Sequence, residues 1–150
     1  MRLPKLSADK KGLTLIEVVI TMAILAIIGG LGLFVSTDFY RGYILRTERD
    51  TLVSILQRQR SRALNNVSDS HHGVFLETDQ YTVFQGNSYA SRNPDYDEVI
   101  NLPSSVVIGG INEVVFEPLS GDSSASGDIT ISRDPQTFTI SLNDEGRINY

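Results

Sequence analysis

The 150-residue sequence predicts an α+β protein: one long N-terminal helix, apolar first and amphipathic after, then a head of antiparallel β-sheet. Three observations carry this prediction. An uncharged apolar run fills Val18 to Val35, with Thr21 its only clearly polar residue. Asp38 to Asn66 follows without a proline and with apolar residues at helical spacing. From His72 onward the apolar period shifts to two, the period of a half-buried strand.

The apolar run would rise roughly 27 Å as a helix, close to the hydrocarbon thickness of a bilayer. A core helix of that length would leave so small a domain little else to bury. A cleaved secretory signal would have a shorter apolar run followed by a small-x-small site. The run is therefore expected to be a retained membrane span. Arg2, Lys5, Lys10 and Lys11 precede it against Asp9 alone. The N-terminus is thus expected on the cytoplasmic side of the inner (cytoplasmic) membrane, with everything after about residue 36 outside.

In the second half, Leu45, Leu52, Ile55, Leu56 and Ala63 fall near one helical face and most of the arginines fall off it. The pattern ends in "ALNN", where Asn65 or Asn66 can take the left-handed conformation that closes a helix. One helix is expected from about Leu13 to about Asn66. Gly29, Gly30 and Gly32 interrupt it, each costing about 1 kcal/mol relative to alanine. Two readings fit them: close packing between membrane helices, or a point where the helix unwinds.

The head begins after this helix. "GVFLE", "QYTVF", "EVINL", "EVVFEP", "DITIS" and "TFTISL" are short β-rich runs bounded by turn residues. In the last of them Phe138, Ile140 and Leu142 form one buried face. "LSGDSSASGD", Leu119 to Asp128, is expected to be the most mobile loop.

Charge divides the chain. From Asp38 to Asn66 six arginines face three carboxylates, net +3; from Val67 to Tyr150 three arginines face thirteen, net -10. An acidic head repels polyanions, so no nucleic-acid partner is expected. The absence of cysteine excludes disulfides, thiol catalysis and thiolate metal sites. His71 and His72 are adjacent, so their side chains point apart, and no third ligand stands at recognisable spacing. They read as a polar turn after the helix. Asn93–Glu98 and the Gly121–Asp128 stretch offer oxygen atoms to Ca2+, but neither matches an EF-hand loop. Solvated acidic loops are the default, and no metal or other cofactor is expected. Nothing resembles a nucleophile elbow or a positioned triad, so no enzyme is expected.

One residue resists this account. In "KKGLTLIEVVITMAILAIIGGLGLFV", Lys10 to Val35, a glutamate, Glu17, stands at the start of the apolar run. A carboxylate in a bilayer costs several kcal/mol and is normally functional, with a partner. Basic residues, a glycine, "LTLIEV" and an apolar helix resemble the class III signal of type IV pilins and type II secretion pseudopilins. Gly12, Thr14, Leu15 and Glu17 stand in that family's register; Leu13 departs from it, since phenylalanine is usual there.

The resemblance implies that prepilin peptidase, a membrane aspartic peptidase, cuts after Gly12 and methylates the new amino terminus of Leu13. It implies that Thr14 and Glu17 serve assembly, Glu17 pairing with the Leu13 amine of a neighbouring subunit. It also favours local unwinding at Gly29, Gly30 and Gly32, since family members carry a helix-breaking region there. The expected segments are a cleaved leader (1–12), a transmembrane and assembly helix (13–36), the amphipathic half of that helix (37–66) and a β-rich head (67–150).

The later motifs, "RSRALNN", "HGVFL", "YTVFQG", "EVVFEPLSG", "DITIS" and "GRI", resemble the GspH/FimT-like group of minor pseudopilins and minor pilins. This implies a pilin-like fold and a structural minor subunit of a type IV pilus-like filament, in type II secretion or a related system. Its partners would be other pilins or pseudopilins, prepilin peptidase, an inner-membrane assembly platform and the lipid bilayer. The alternative is a FimT-like minor pilin that captures DNA through a basic C-terminal tail. Here that tail, "LNDEGRINY", sets Asp144 and Glu145 against Arg147 alone.

Overall fold

The computed structural model describes residues 12–150, with the backbone alone described over residues 32–41. The leader expected over residues 1–12 therefore lies outside the described residues except for Gly12. The fold is α+β and pilin-like in its order: helix α1 (Leu15–Leu64), then eight strands in two antiparallel sheets. The chain forms two compact units, Met1–Phe39 and Tyr40–Tyr150.

In the first unit, α1 begins after the non-helical residues Gly12, Leu13 and Thr14. It runs without interruption through Gly29, Gly30 and Gly32. The apolar side chains from Leu15 to Leu31 are exposed on every side of the helix. A helix apolar all round needs an apolar environment from outside the unit.

In the second unit the same helix is amphipathic and buries its apolar face. Leu45, Leu52, Val53, Ile55, Leu56 and Ala63 join one core with side chains from both sheets. Asn66 takes the left-handed conformation, φ 48°, and its N–H bonds the Ala63 carbonyl at 2.9 Å, so the helix stops where "ALNN" predicts.

The strands are β1 (His72–Leu76), β2 (Gln80–Gln85), β3 (Glu98–Asn101), β4 (Val107–Gly110), β5 (Glu113–Phe116), β6 (Gly127–Arg133), β7 (Gln136–Leu142) and β8 (Ile148–Asn149). One sheet has the order β3-β2-β1-β5 and the other β4-β6-β7-β8. Val74, Leu76, Tyr81 and Val83 enter the core from the first sheet; Ile129, Ile131, Ile140 and Leu142 enter it from the second. This is the buried face expected of β7.

The first sheet is also covered on its other face. Gly73 pairs with Phe84 in the β1–β2 register, and any Cβ at Gly73 would collide with the Phe84 ring. Tyr89 stacks on Phe75 at 3.9 Å between ring centroids and meets Phe84 edge-on at 5.7 Å. Arg92 holds this layer in place. Its guanidinium lies 3.7 Å from the Tyr89 ring centre, donates to the Tyr89 carbonyl and pairs with Asp97 at 2.7 Å.

Two expectations fail here. "LSGDSSASGD" is tied down rather than free: Leu119 N–H bonds Ala63 O, Ser123 N–H bonds Asp144 O and Ser124 N–H bonds Val115 O. Each is a backbone bond of 2.8 to 2.9 Å to a different element. His72 is no polar turn residue; it opens β1 and is 1% exposed.

Candidate functional site

Gly12, Leu13, Thr14 and Glu17 lie together in the approach to α1 and its first turn. Thr14 caps the helix. Its hydroxyl accepts from the Glu17 backbone N–H at 3.3 Å, and its carbonyl accepts from Glu17 and Val18 N–H at 3.1 and 3.2 Å. Thr14-x-x-Glu17 ahead of an apolar run is the capping-box pattern, with the acidic residue where the helix dipole favours it. Sequence reasoning took these residues for assembly alone and missed the cap, although the spacing was visible. Cleavage between Gly12 and Leu13 would leave Thr14 and its bonds in place, so the helix start survives processing.

A Cβ at Gly12 would meet nothing within 4 Å. Among the described residues, no contact therefore requires a glycine there. The same is true of Gly29 and Gly30, where an added Cβ also stands in open space. Their lack of a side chain serves no packing among the described residues of this chain. Gly32 lies in the stretch of which only the backbone is described, and that backbone is helical.

The expected membrane segment, 13–36, reaches beyond the described side chains, which end at Leu31 before the run is complete. A span takes about 20 residues. Among the described residues no helix is long and apolar enough to cross a membrane.

In the head, among the described residues, no group of three or more metal-ligating side chains converges. The imidazole Nε2–H of His72 donates to the Val67 carbonyl at 2.9 Å. Burial lowers its pKa, Arg62 and His71 push the same way, and the Val67 bond opposes them. Of the acidic stretch Asn93–Glu98, Asp97 is held by Arg92 and Glu98 by Arg58, each at 2.7 Å, while Asn93 caps a short helical turn at Pro94–Tyr96. In the other stretch Ser123 and Ser124 hydroxyls are engaged with backbone groups.

Comparison with protein families matches residues 7–33 to the prokaryotic N-terminal methylation motif. The match takes in Gly12, Leu13, Glu17 and most of the apolar run, together with the second half of the expected leader, and leaves the head unmatched. The motif supports the type IV pilin or pseudopilin reading, and it implies a structural subunit with a membrane-anchored N-terminus and, as partners, other pilins and prepilin peptidase. Neither the comparison with curated proteins nor that with solved structures gave a match.

Proposed function

We propose that the chain is a structural minor pilin or pseudopilin, of the GspH/FimT-like kind, of a type IV pilus-like filament in type II secretion or a related system. It is made as a membrane precursor with its N-terminus cytoplasmic, cut after Gly12 and methylated on Leu13. An inner-membrane assembly platform then draws it into the filament. The observation that carries this reading is the register Gly12, Thr14, Glu17 leading directly into a helix that is apolar on every side.

Such a helix moves from one apolar environment to another, from lipid to the bundle of its neighbours' helices. Glu17 crosses with it and needs a cation. Cleavage creates one, the α-amino group of Leu13, and pairing it with Glu17 of an adjacent subunit sets the axial register. Gly29, Gly30 and Gly32 let the helix unwind locally as it enters the bundle, since alanine there would favour helix by about 1 kcal/mol per position. The head, net -10, suits a filament component better than a DNA receptor.

Glu17→Val tests the pairing. It should leave cleavage and membrane insertion intact while incorporation into sheared filaments or crosslinked complexes falls steeply. Breaking one half of a buried ion pair costs about 3–5 kcal/mol, about two to four decades of affinity. The loss of helix-dipole stabilisation, about 0.3–1 kcal/mol, is too small to do that. Glu17→Asp should be partial. Normal incorporation of processed Glu17→Val would remove the pairing mechanism.

A further inference from the structure

A groove of about 390 Å³ lies between the last turns of α1 and the β7–β8 hairpin, lined by Gln57, Arg60, Ser61, Leu64, Arg147 and Ile148 among others. Its charge is opposite to that of the head around it. Arg60 Nε donates to the Gly121 carbonyl at 3.2 Å and Nη2 to the Glu145 carbonyl at 2.9 Å. Both acceptors are neutral, so this guanidinium is fixed in place without being neutralised. Gly146 makes the arrangement possible: it sits at φ 70°, where any Cβ would run into the Gly121 carbonyl and crowd Arg60.

Arg147 is exposed and, among the described residues, its side chain has no hydrogen bond or ion pair; its backbone N–H bonds Asn143 Oδ1 at 2.7 Å. Arg49, Arg58 and Arg92, by contrast, each have a carboxylate oxygen at 2.7 Å. Two unneutralised guanidiniums, one of them already ordered, therefore line a single groove.

A second observation concerns the same end of the head. Leu64, in the groove wall, is 42% exposed, and Leu119 is 71% exposed. Leu119 holds φ 66°, a left-handed conformation that costs a leucine about 1–2 kcal/mol. Its N–H is bonded to Ala63 O, and its loop packs on Leu64 at Gly121. Backbone strain of this kind clusters at ligand clamps and switch regions.

We infer that this groove binds a carboxylate-bearing extended segment of a neighbouring filament subunit, with the carboxylates on Arg60 and Arg147 and an aliphatic side chain against Leu64 and Ile148. Guanidinium forks match carboxylates in paired hydrogen bonds, and the volume lies within the range of ligand clefts. A peptide brings one or two carboxylates to the groove and nothing to the acidic surface beyond it. A nucleic acid spreads a charge every few ångströms and would meet that surface as well. The occupant's source rests on the filament reading; the groove's chemistry does not.

The test uses the full chain in detergent micelles and a fluorescent Leu-Glu-Glu-Leu peptide, followed by anisotropy. Saturable binding is expected. Arg147→Glu should weaken it at least about tenfold and confer binding of Leu-Lys-Lys-Leu, while Arg147→Lys, which keeps the charge but loses the fork, should fall between that variant and the unaltered chain. Arg46→Glu, on α1 and about 21 Å from Arg60 along the helix axis, should change nothing. Absence of saturable binding, an equal loss with Arg46→Glu, or tighter binding of an oligonucleotide of the same charge would overturn the inference. Because no filament is involved, these outcomes are independent of whether the chain is processed and assembled.

Discussion

Glu17 and His72 show how one residue carries different consequences in different surroundings. Glu17 stands at the first turn of α1, where Thr14 caps the backbone, and there it is a modest helix-starting residue. On the proposed reading, its larger effect arises only when lipid or neighbouring helices replace water around it. His72 is enclosed by its own chain, 1% exposed, with burial the largest cause of its lowered pKa. The unfolded chain, with an ordinary value near 6.5, binds the proton more readily than the folded one. Stability should therefore fall as pH drops through about 6.5 and stop falling for this reason below the folded-state value. Thermal unfolding of the full chain in micelles between about pH 7.5 and 5, starting above the unfolded-state value, should show the decline. His72→Gln should flatten it, and an unchanged slope would assign the decline to other groups. The adjacent pair His71-His72 gave no hint of this burial, because a residue between a helix and a strand reads as polar turn until the sheet register turns its side chain inward.

Secondary structure was legible where periodicity was strong and illegible where it was short. The amphipathic half of α1, its stop at Asn66 and the buried face of β7 follow directly from spacing. Two strands were not expected. β4 ends in Gly109 and Gly110, residues that ordinarily mark turns, and β8 is only Ile148–Asn149. Both exist because a neighbouring strand supplies the partner: β4 pairs with β6, and β8 with β7. The loop after β5 was misread for the same reason, since its anchors lie in α1 and the β7–β8 turn. Long-range contacts also explain Gly73, whose position is filled by the Phe84 ring from β2. Gly73→Ala should overpack that pair and cost about 1–3 kcal/mol, read as a lowered unfolding midpoint. A midpoint equal to that of the unaltered chain would mean the ring moves aside without cost.

At the scale of the whole molecule, the division was visible in the sequence: an apolar helix carrying an N-terminal methylation motif, and an acidic head with its own core. That motif was readable because it is a run of adjacent residues. The Arg60–Arg147 groove was not, because its walls come from a helix and a hairpin more than eighty positions apart in the chain. Under the proposed function, what unites the parts is the order of events, cleavage first and assembly second, and that order depends on where the mature chain begins. The decisive measurement is mass spectrometry of the mature N-terminus after co-expression with a prepilin peptidase. The account predicts a chain that starts at Leu13 with a methylated α-amino group, and a Gly12→Val precursor that stays uncut. A mature N-terminus at any other residue, or normal cutting of Gly12→Val, would contradict it.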